Sequence, residues 1–243
     1  MTESGDSQGL SFLDHLEELR WRLLKGIAAI ALFAVPCGIF WERLFSLVML
    51  HPLRFADPRP RLIITSPVEG FMLSVKIAIA GGVILAAPVL FYQLWRFVAP
   101  GLYKHEKAVI IPTVAASTLS FLAGIAFCYL LIPYVIRFLA SFAGANIDAL
   151  YRTNEYLSFI IRLTLAFGIV FELPVISYVL TRLGIITAAS LVGIFKYALV
   201  AIFVLSALLT PPDILSQLML ALPLLALYGI SILVSVLVQR KQG

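Results

Sequence analysis

Long apolar runs separated by short polar clusters organise this chain. Residues 23–41, 71–98, 108–133, 157–180, 191–209 and 214–238 form six such runs. About 20 helical residues cross about 30 Å of hydrocarbon, so these runs predict membrane-crossing helices. Lys196 interrupts the fifth run and leaves thirteen residues, Tyr197 to Leu209, beyond it. That helix is expected to be short, with the bilayer thinned or Lys196 reaching to the interface beside it. A membrane β-barrel would show short alternating segments, and none is present. The expected fold is therefore all-α: a polytopic membrane protein of six transmembrane helices, short in the fifth and sixth, with exterior loops capping the helix ends. Residues 1–22 are expected to form an N-terminal segment carrying an amphipathic helix, residues 23–238 a single six-helix domain, and residues 239–243 a tail.

Composition agrees with that pattern. Of 243 residues, 61% are hydrophobic and 13% charged, and the mean hydropathy is +1.02; soluble proteins carry roughly 25% charged residues. The net charge of +5 is scattered along the chain rather than gathered into a patch, so it speaks to topology. An even number of crossings puts both termini on one side. Ten Lys and Arg in the connections or near the ends of the spans share that side (Arg20, Arg22, Lys25, Arg96, Lys104, Lys107, Arg182, Lys196, Arg240, Lys241), against six opposite (Arg43, Arg54, Arg59, Arg61, Arg137, Arg152). The excess places the termini in the cytoplasm. Five acidic residues (Glu3, Asp6, Asp14, Glu17, Glu18) precede the first Arg or Lys, the reverse of a secretory signal, so the first run reads as an uncleaved span. The exterior loops, residues 42–70 and 134–156, are the long ones; "HPLRFADPRPR", residues 51–61, is too proline-rich for regular helix.

Catalytic and metal chemistry find little support. Cys37 and Cys128 fall in apolar runs, and the chain has no C-x-x-C, H-E-x-x-H or G-x-S-x-G motif. All five aspartates lie outside the runs, which excludes an intramembrane aspartyl dyad. No enzyme activity, cofactor or metal is expected.

Four polar constellations stand out. In "SFLDHLEELRWRLLK", residues 11–25, Phe12, Leu16, Leu19 and Leu23 recur at helical spacing, predicting an amphipathic helix that runs into the first span. Local spacing pairs Glu18 with Arg22 and Glu17 with Arg20. "FVAPGLYKHEKAV", residues 97–109, turns at Pro100-Gly101 and holds one acidic residue, Glu106, among Lys104, His105 and Lys107. In "FGIVFELPVISY", residues 167–178, Glu172 is a lone carboxylate within a span. Such a group costs roughly 2.5–3.5 kcal/mol on insertion scales and must face a partner, water or the protein interior. Thr164, Gly168 and Glu172 recur every fourth residue as a small, polar stripe against which a helix can lie closely. Pro174 deprives the Val170 carbonyl of its helical donor and predicts a kink beside the carboxylate. Lastly, "LLTPPDILSQ", residues 208–217, is a tight exterior turn in which Asp213 can cap the sixth helix.

Taken in order, "HLEELR" (15–20), "SPVEGF" (66–71), "FYQLWRFVAPGLYKHE" (91–106), "AFGIVFELP" (166–174) and "LTPPDILSQ" (209–217) resemble the TatC family. Its members are the multispanning receptor subunits of the twin-arginine protein translocase. The resemblance implies a bacterial inner-membrane protein that binds signal peptides carrying consecutive arginines and moves folded proteins on the proton-motive force. It also implies partners: single-span subunits of the TatA and TatB type, signal peptides, and further copies in a larger complex.

Carried over by position, Glu18 and Glu106 meet the arginine pair, with Glu17, Arg20, Leu102, Tyr103 and Lys104 around them. Glu172, Pro174, Thr210 and Gln217 form an intramembrane groove for partner helices; Pro211, Pro212 and Asp213 shape the exterior turn, and Pro52 lies in the first exterior loop. One feature departs from the family: the loop before the fifth span, usually rich in Lys and Arg, keeps only Lys196 in "ITAASLVGIFKYAL". The competing class is a proton-coupled small-solute transporter, which also uses an intramembrane carboxylate. It calls for broken helices in matched halves of the chain, and no such repeat is visible.

Overall fold

The computed structural model describes residues 6–54, 61–98, 110–141, 150–210 and 213–242. In chain order the elements are α1 (Asp6–Ile39), α2 (Trp41–Leu44), a π-helical stretch (Phe45–Leu50), α3 (His51–Arg54), β1 (Arg61–Ile63), α4 (Glu69–Val98), α5 (Ile110–Ser141), β2 (Leu150–Arg152), α6 (Thr153–Val170), α7 (Leu173–Arg182), α8 (Ala188–Gly193), α9 (Phe195–Leu209) and α10 (Ile214–Gln242). Among the described residues, five helical segments are long and apolar enough to cross a membrane: His15–Ile39, Glu69–Val98, Ile110–Ser141, Thr153–Arg182 and Ile214–Arg240. Phe195–Leu209 is a shorter apolar helix. Six spans result, and α1 runs unbroken from the N-terminal segment into the first.

The short fifth span is as expected: 15 residues, with Lys196 in the first turn, cover only about 22 Å at 1.5 Å per residue. A short preceding helix, α8, is separated from it at Ile194 and starts on a capping box between Thr187 and Ser190. The sixth span, α10, differs from the short helix expected. It has 29 residues and carries Pro223 inside it. Its apolar run is long enough to cross the hydrocarbon as one helix, with Pro223 withholding the helical donor from the Met219 carbonyl.

Contacts divide the chain into two compact units, Met1–Phe40 with Ile77–Thr118, and Trp41–Lys76 with Leu119–Gly243. In the first, α1 and α4 run antiparallel along a seam of small residues. A methyl group at Gly82 would lie 2.8 Å from the Ile30 carbonyl, one at Gly81 2.7 Å from Cys37 Sγ, and one at Gly26 3.1 Å from Leu90. Larger residues there would separate the backbones. Trp95 Nε1 donates to Ser117 Oγ at 2.8 Å, joining α4 to α5.

In the second unit α5 and α6 meet in the same way. A methyl group at Gly124 would lie 2.6 Å from the Phe167 carbonyl, and one at Gly168 2.5 Å from the Phe121 ring. Cys128 Sγ lies 3.8 Å from Thr164 Oγ1. The stripe of Thr164 and Gly168 therefore faces α5 of the same chain. Beyond it, Thr181 and Ser235 hydrogen-bond at 2.7 Å between α7 and α10. Tyr228 of α10 donates to the Leu191 carbonyl of α8 at 2.7 Å. Gly184 adopts a left-handed φ of +71° just past α7, where the Ile185 N–H turns back to the Leu180 carbonyl at 3.0 Å and closes the helix end.

The loops after the first and third spans are more regular than their prolines suggest. The first four residues of "HPLRFADPRPR" are helical, with Pro52 buried directly after the π-helical stretch. Its last residue, Arg61, opens β1, which pairs in parallel with β2 in the register Arg61↔Leu150, Leu62↔Tyr151 and Ile63↔Arg152. This two-stranded ladder is an addition to the all-α expectation. It is locked by Glu69, 6% exposed at the start of α4. One carboxylate oxygen accepts from the Thr65 N–H at 2.7 Å and the Thr65 hydroxyl at 3.2 Å; the other accepts from the Asn154 N–H at 2.8 Å. Asn154 is the second residue of α6, and the N-cap residue, Arg152, makes no side-chain cap bond. Glu69 thus caps α6 from another helix, favoured by the positive end of its dipole. Lys76, two turns further along α4, donates to Asn154 Oδ1 at 2.5 Å and to Ser158 Oγ at 2.7 Å.

Two outcomes test this packing. Gly124→Val is expected to force α5 and α6 apart at a cost of about 1–3 kcal/mol, read as a lower thermal midpoint in detergent; an unchanged midpoint would refute the contact. Glu69→Ala is expected to speed amide hydrogen exchange over residues 61–65 and 150–155, with Glu69→Gln intermediate because one carbonyl acceptor remains. Equal exchange in all three proteins would remove Glu69 from its capping role.

Candidate functional site

The N-terminal carboxylates lie on α1. Glu18 is half-buried and accepts two hydrogen bonds from Arg22, one turn on: Nε at 3.0 Å and Nη2, both to Oε1. His15 Nδ1 approaches Oε2 at 3.7 Å. The i,i+4 pairing expected from the sequence is present. Glu17 and Arg20 are exposed, and the expected ion pair between them is not formed. Each long side chain reaches solvent, where an i,i+3 pair gains little over hydration.

The connection between the second and third spans carries Glu106, Leu102, Tyr103 and Lys104, which lie outside the described residues. Its approach is described. Phe97, in the last turn of α4, stacks on His15 with ring centroids 4.4 Å apart and 12° between planes. The beginning of "FVAPGLYKHE" and the beginning of "HLEELR" are thereby in contact, with Glu106 nine residues beyond Phe97. Glu18 can hold a planar guanidinium, because one already lies against it. Arg22 supplies that guanidinium, while His15 Nδ1 approaches the other carboxylate oxygen.

Glu172 lies where the fourth span breaks. α6 ends at Val170 and α7 starts at Leu173, with Pro174 in its first turn. The break falls where Pro174 places it. The Phe171 N–H keeps its helical bond to the Phe167 carbonyl at 2.9 Å, while the Glu172 N–H moves to the Ile169 carbonyl at 3.0 Å. Ser120 of α5 donates to the Phe171 carbonyl at 2.5 Å and secures the kinked backbone. Phe127, Phe167 and Phe171 cluster beside it, with centroids 5.6–6.5 Å apart. The Glu172 residue is 5% exposed. Its carboxyl is held in the interior of the second unit, not turned outward.

Thr210 and Gln217 converge on the last two turns of α9. Thr210, the C-cap, donates to the Ser206 carbonyl at 2.9 Å, and Gln217 Nε2 reaches across from α10 to the Phe203 carbonyl at 2.9 Å. Asp213 Oδ1 accepts from the Ser216 N–H at 2.7 Å and caps α10 as expected. Among the described residues, Asp213 Oδ2 and Ser216 Oγ are buried with no hydrogen-bond partner, so this turn keeps polar capacity in reserve. Pro211 and Pro212 lie outside the described residues.

Sequence reasoning missed the roles of Glu69 and Lys76. Glu69 stood inside the motif "SPVEGF", and a lysine within a span is itself a signal of a required partner. Neither signal names the partner, Asn154, which is 85 residues from Glu69 and 78 from Lys76.

Comparison with known proteins agrees with the motifs. The family model for TatC, described as Sec-independent protein translocase protein, matches residues 14–223. A TatC protein of Helicobacter pylori strain J99 is 44% identical over 225 residues, covering 92% of this chain and 88% of the relative. TatCy of Bacillus subtilis strain 168 is 40% identical over 239 residues, covering 96% and 91%. A crystal structure of the twin-arginine translocase receptor TatC superposes with a TM-score of 0.84 at 38% identity, covering 93% of this chain and 99% of that one. With its six spans, its ordered motifs and these relatives, the chain belongs to the TatC family of Sec-independent protein translocase proteins.

Proposed function

We propose that this chain is the signal-sequence receptor of a twin-arginine translocase. It binds the arginine pair through Glu18 and Glu106 at the cytoplasmic face of the bacterial inner membrane, where both termini lie. The observation that supports this best is the pair of contacts around Glu18. Its carboxylate already holds a guanidinium, and the His15–Phe97 stack sets the last turn of α4, nine residues before Glu106 in sequence, against the same stretch of α1. Arginine stays charged, and its planar fork matches a carboxylate bidentately, which lysine cannot do. Two carboxylates on one face suit two consecutive guanidinium groups. Glu17, Arg20, Leu102, Tyr103 and Lys104 complete the surface around them.

After recognition, the receptor passes folded cargo across the membrane with single-span TatA and TatB type subunits, driven by the proton-motive force. Glu172, Pro174, Thr210 and Gln217 are the intramembrane residues assigned to docking those subunits. The broken fourth span supports this assignment, because a kink with a buried carboxyl is a place where helix packing can be exchanged at modest cost.

Glu106→Gln is expected to weaken binding of a signal peptide about tenfold or more, and Glu18→Gln by a comparable or smaller factor. Titration of the chain in lipid nanodiscs with a labelled peptide reads both. A peptide with both arginines replaced by lysine is expected to bind poorly to the parent and to lose little more on mutation; equal losses for the two peptides would assign the glutamates to the fold instead.

Glu172→Ala is expected to leave peptide binding intact, to abolish most transport in inverted vesicles, and to change crosslinks to the single-span subunits. Glu172→Gln is expected to be milder, since an amide still donates a hydrogen bond. Loss of peptide binding and thermal stability together, with crosslinks unchanged, would make Glu172 an internal strut.

A further inference from the structure

Lys76 of α4 and Arg162 of α6 are cations inside membrane spans that take no part in the arginine site or in partner docking. They meet at one residue. Lys76 Nζ donates to Ser158 Oγ at 2.7 Å, and Arg162 Nε donates to the Ser158 carbonyl at 3.1 Å. Asn154, Ser158 and Arg162 recur every fourth residue and so share one face of α6, with Lys76 bonded to the first two of them. Lys76 is half-buried, whereas Arg162 is exposed. All four residues belong to the second unit.

No carboxylate answers this charge. Among the described residues neither cation has an acidic oxygen within 4.0 Å. Glu69, on the same helix as Lys76, gives its two oxygens to Thr65 and to the Asn154 N–H, and Glu155 pairs with Arg152. Glu172 is ten residues beyond Arg162, about 15 Å further along the span. Donors are left over as well. A guanidinium carries five N–H groups and an ammonium three; among the described residues Arg162 uses one of its five and Lys76 two of its three. An exposed intramembrane charge without a counterion calls for a partner from outside the chain. That partner has to be an anion rich in acceptor oxygens.

Depth narrows the choice. Lys76 lies about 10 Å along α4 from its first residue, and Arg162 about 14 Å along α6 from its own. Both helices start beside the β1–β2 ladder and run away from it. Side chains on a helix lean toward its N-terminus, so both cations lean toward the headgroups on the ladder side. The bond from Arg162 back to Ser158, one turn nearer the ladder, follows this lean. Beyond Arg162 the same face of α6 is apolar, with Leu165 and then Ile169, which is 65% exposed. A lipid matches this order of chemistry: phosphate oxygens for a guanidinium fork and an ammonium, then acyl chains for the apolar stretch. A carboxylate on another helix would itself have to be carried into hydrocarbon, whereas a headgroup arrives from the interface with local thinning of the bilayer.

We propose that Lys76 and Arg162 form a binding site for the phosphate of an anionic phospholipid in the leaflet beside the β1–β2 ladder, the outer leaflet in the orientation given above. The bound lipid joins α4 to α6 at Ser158, below the Glu69 cap, and offsets two like charges that hydrogen bonds to neutral groups leave in place. Neither cation belongs to the arginine site, so the receptor reading stands or falls without this one.

The test uses the full chain, stripped of lipid in detergent and then given phosphatidylglycerol, phosphatidylethanolamine or inorganic phosphate. Native mass spectrometry reads the bound lipid, and the thermal midpoint reads its effect. The parent is expected to hold phosphatidylglycerol about tenfold more tightly than phosphatidylethanolamine and to be stabilised by it. Arg162 is exposed, so Arg162→Leu is accommodated without disturbing the interior; it is expected to lose both the preference and the stabilisation. Arg162→Lys, which keeps the charge without the fork, is expected to fall between. Equal retention of the two lipids by the parent, or an unchanged preference in Arg162→Leu, would overturn the site. Stabilisation by inorganic phosphate equal to that by phosphatidylglycerol would assign it to a soluble anion instead. So too, in proteoliposomes, crosslinks from a photoreactive residue at Leu165 that reach a single-span subunit and no lipid would sink the lipid assignment.

Discussion

Inside a bilayer, bringing two helices together removes no apolar surface from water, so close backbone contact has to come from small residues and interhelical hydrogen bonds. In this chain that constraint is met at a few glycines. Gly26, Gly81 and Gly82 bring α1 and α4 together, and Gly124 and Gly168 bring α5 and α6 together. At these points an added methyl group would press on a neighbouring backbone, ring or side chain. The positions of Glu18 and of the break at Glu172 depend on which helix faces these glycines select.

Several polar groups in the spans show the complementary rule, each finding a partner within the protein. Ser117 accepts from Trp95, Ser120 secures the carbonyl at the kink, Thr181 meets Ser235, and Gln217 reaches the Phe203 carbonyl. Lys76 spends its charge on a side-chain amide and a hydroxyl, and Glu69 closes the end of α6. These bonds fasten regular helices at their irregular points. The loops after the first and third spans share a strand ladder pinned by the same glutamate.

Recognition and transport make different demands on carboxylates. Glu18 is half-buried and engaged by the Arg22 guanidinium; in its proposed role that guanidinium gives way to a peptide arginine. Glu172 is buried at a broken helix, where hydrocarbon makes charge costly and where packing can change. One residue type can fill both proposed roles because environment, not identity, sets what a carboxyl can do.

Six spans, a short fifth helix limited by Lys196, a break beside Glu172 ahead of Pro174, and the Glu18–Arg22 pair were legible in the sequence. Each depends on local bonding: helical hydrogen bonds close within four residues, and hydrocarbon permits nothing else to cross it. The ordered motifs carried the family for the same reason, since a motif is a local string. The tertiary structure decided what lies across helix interfaces. It set the stripe of Thr164 and Gly168 against α5, made Glu69 the cap of α6, let the sixth helix run its full length, and stacked His15 on Phe97. Those pairings join residues up to 85 positions apart. They depend on how each helix is rotated about its own axis, which no run of neighbouring residues encodes.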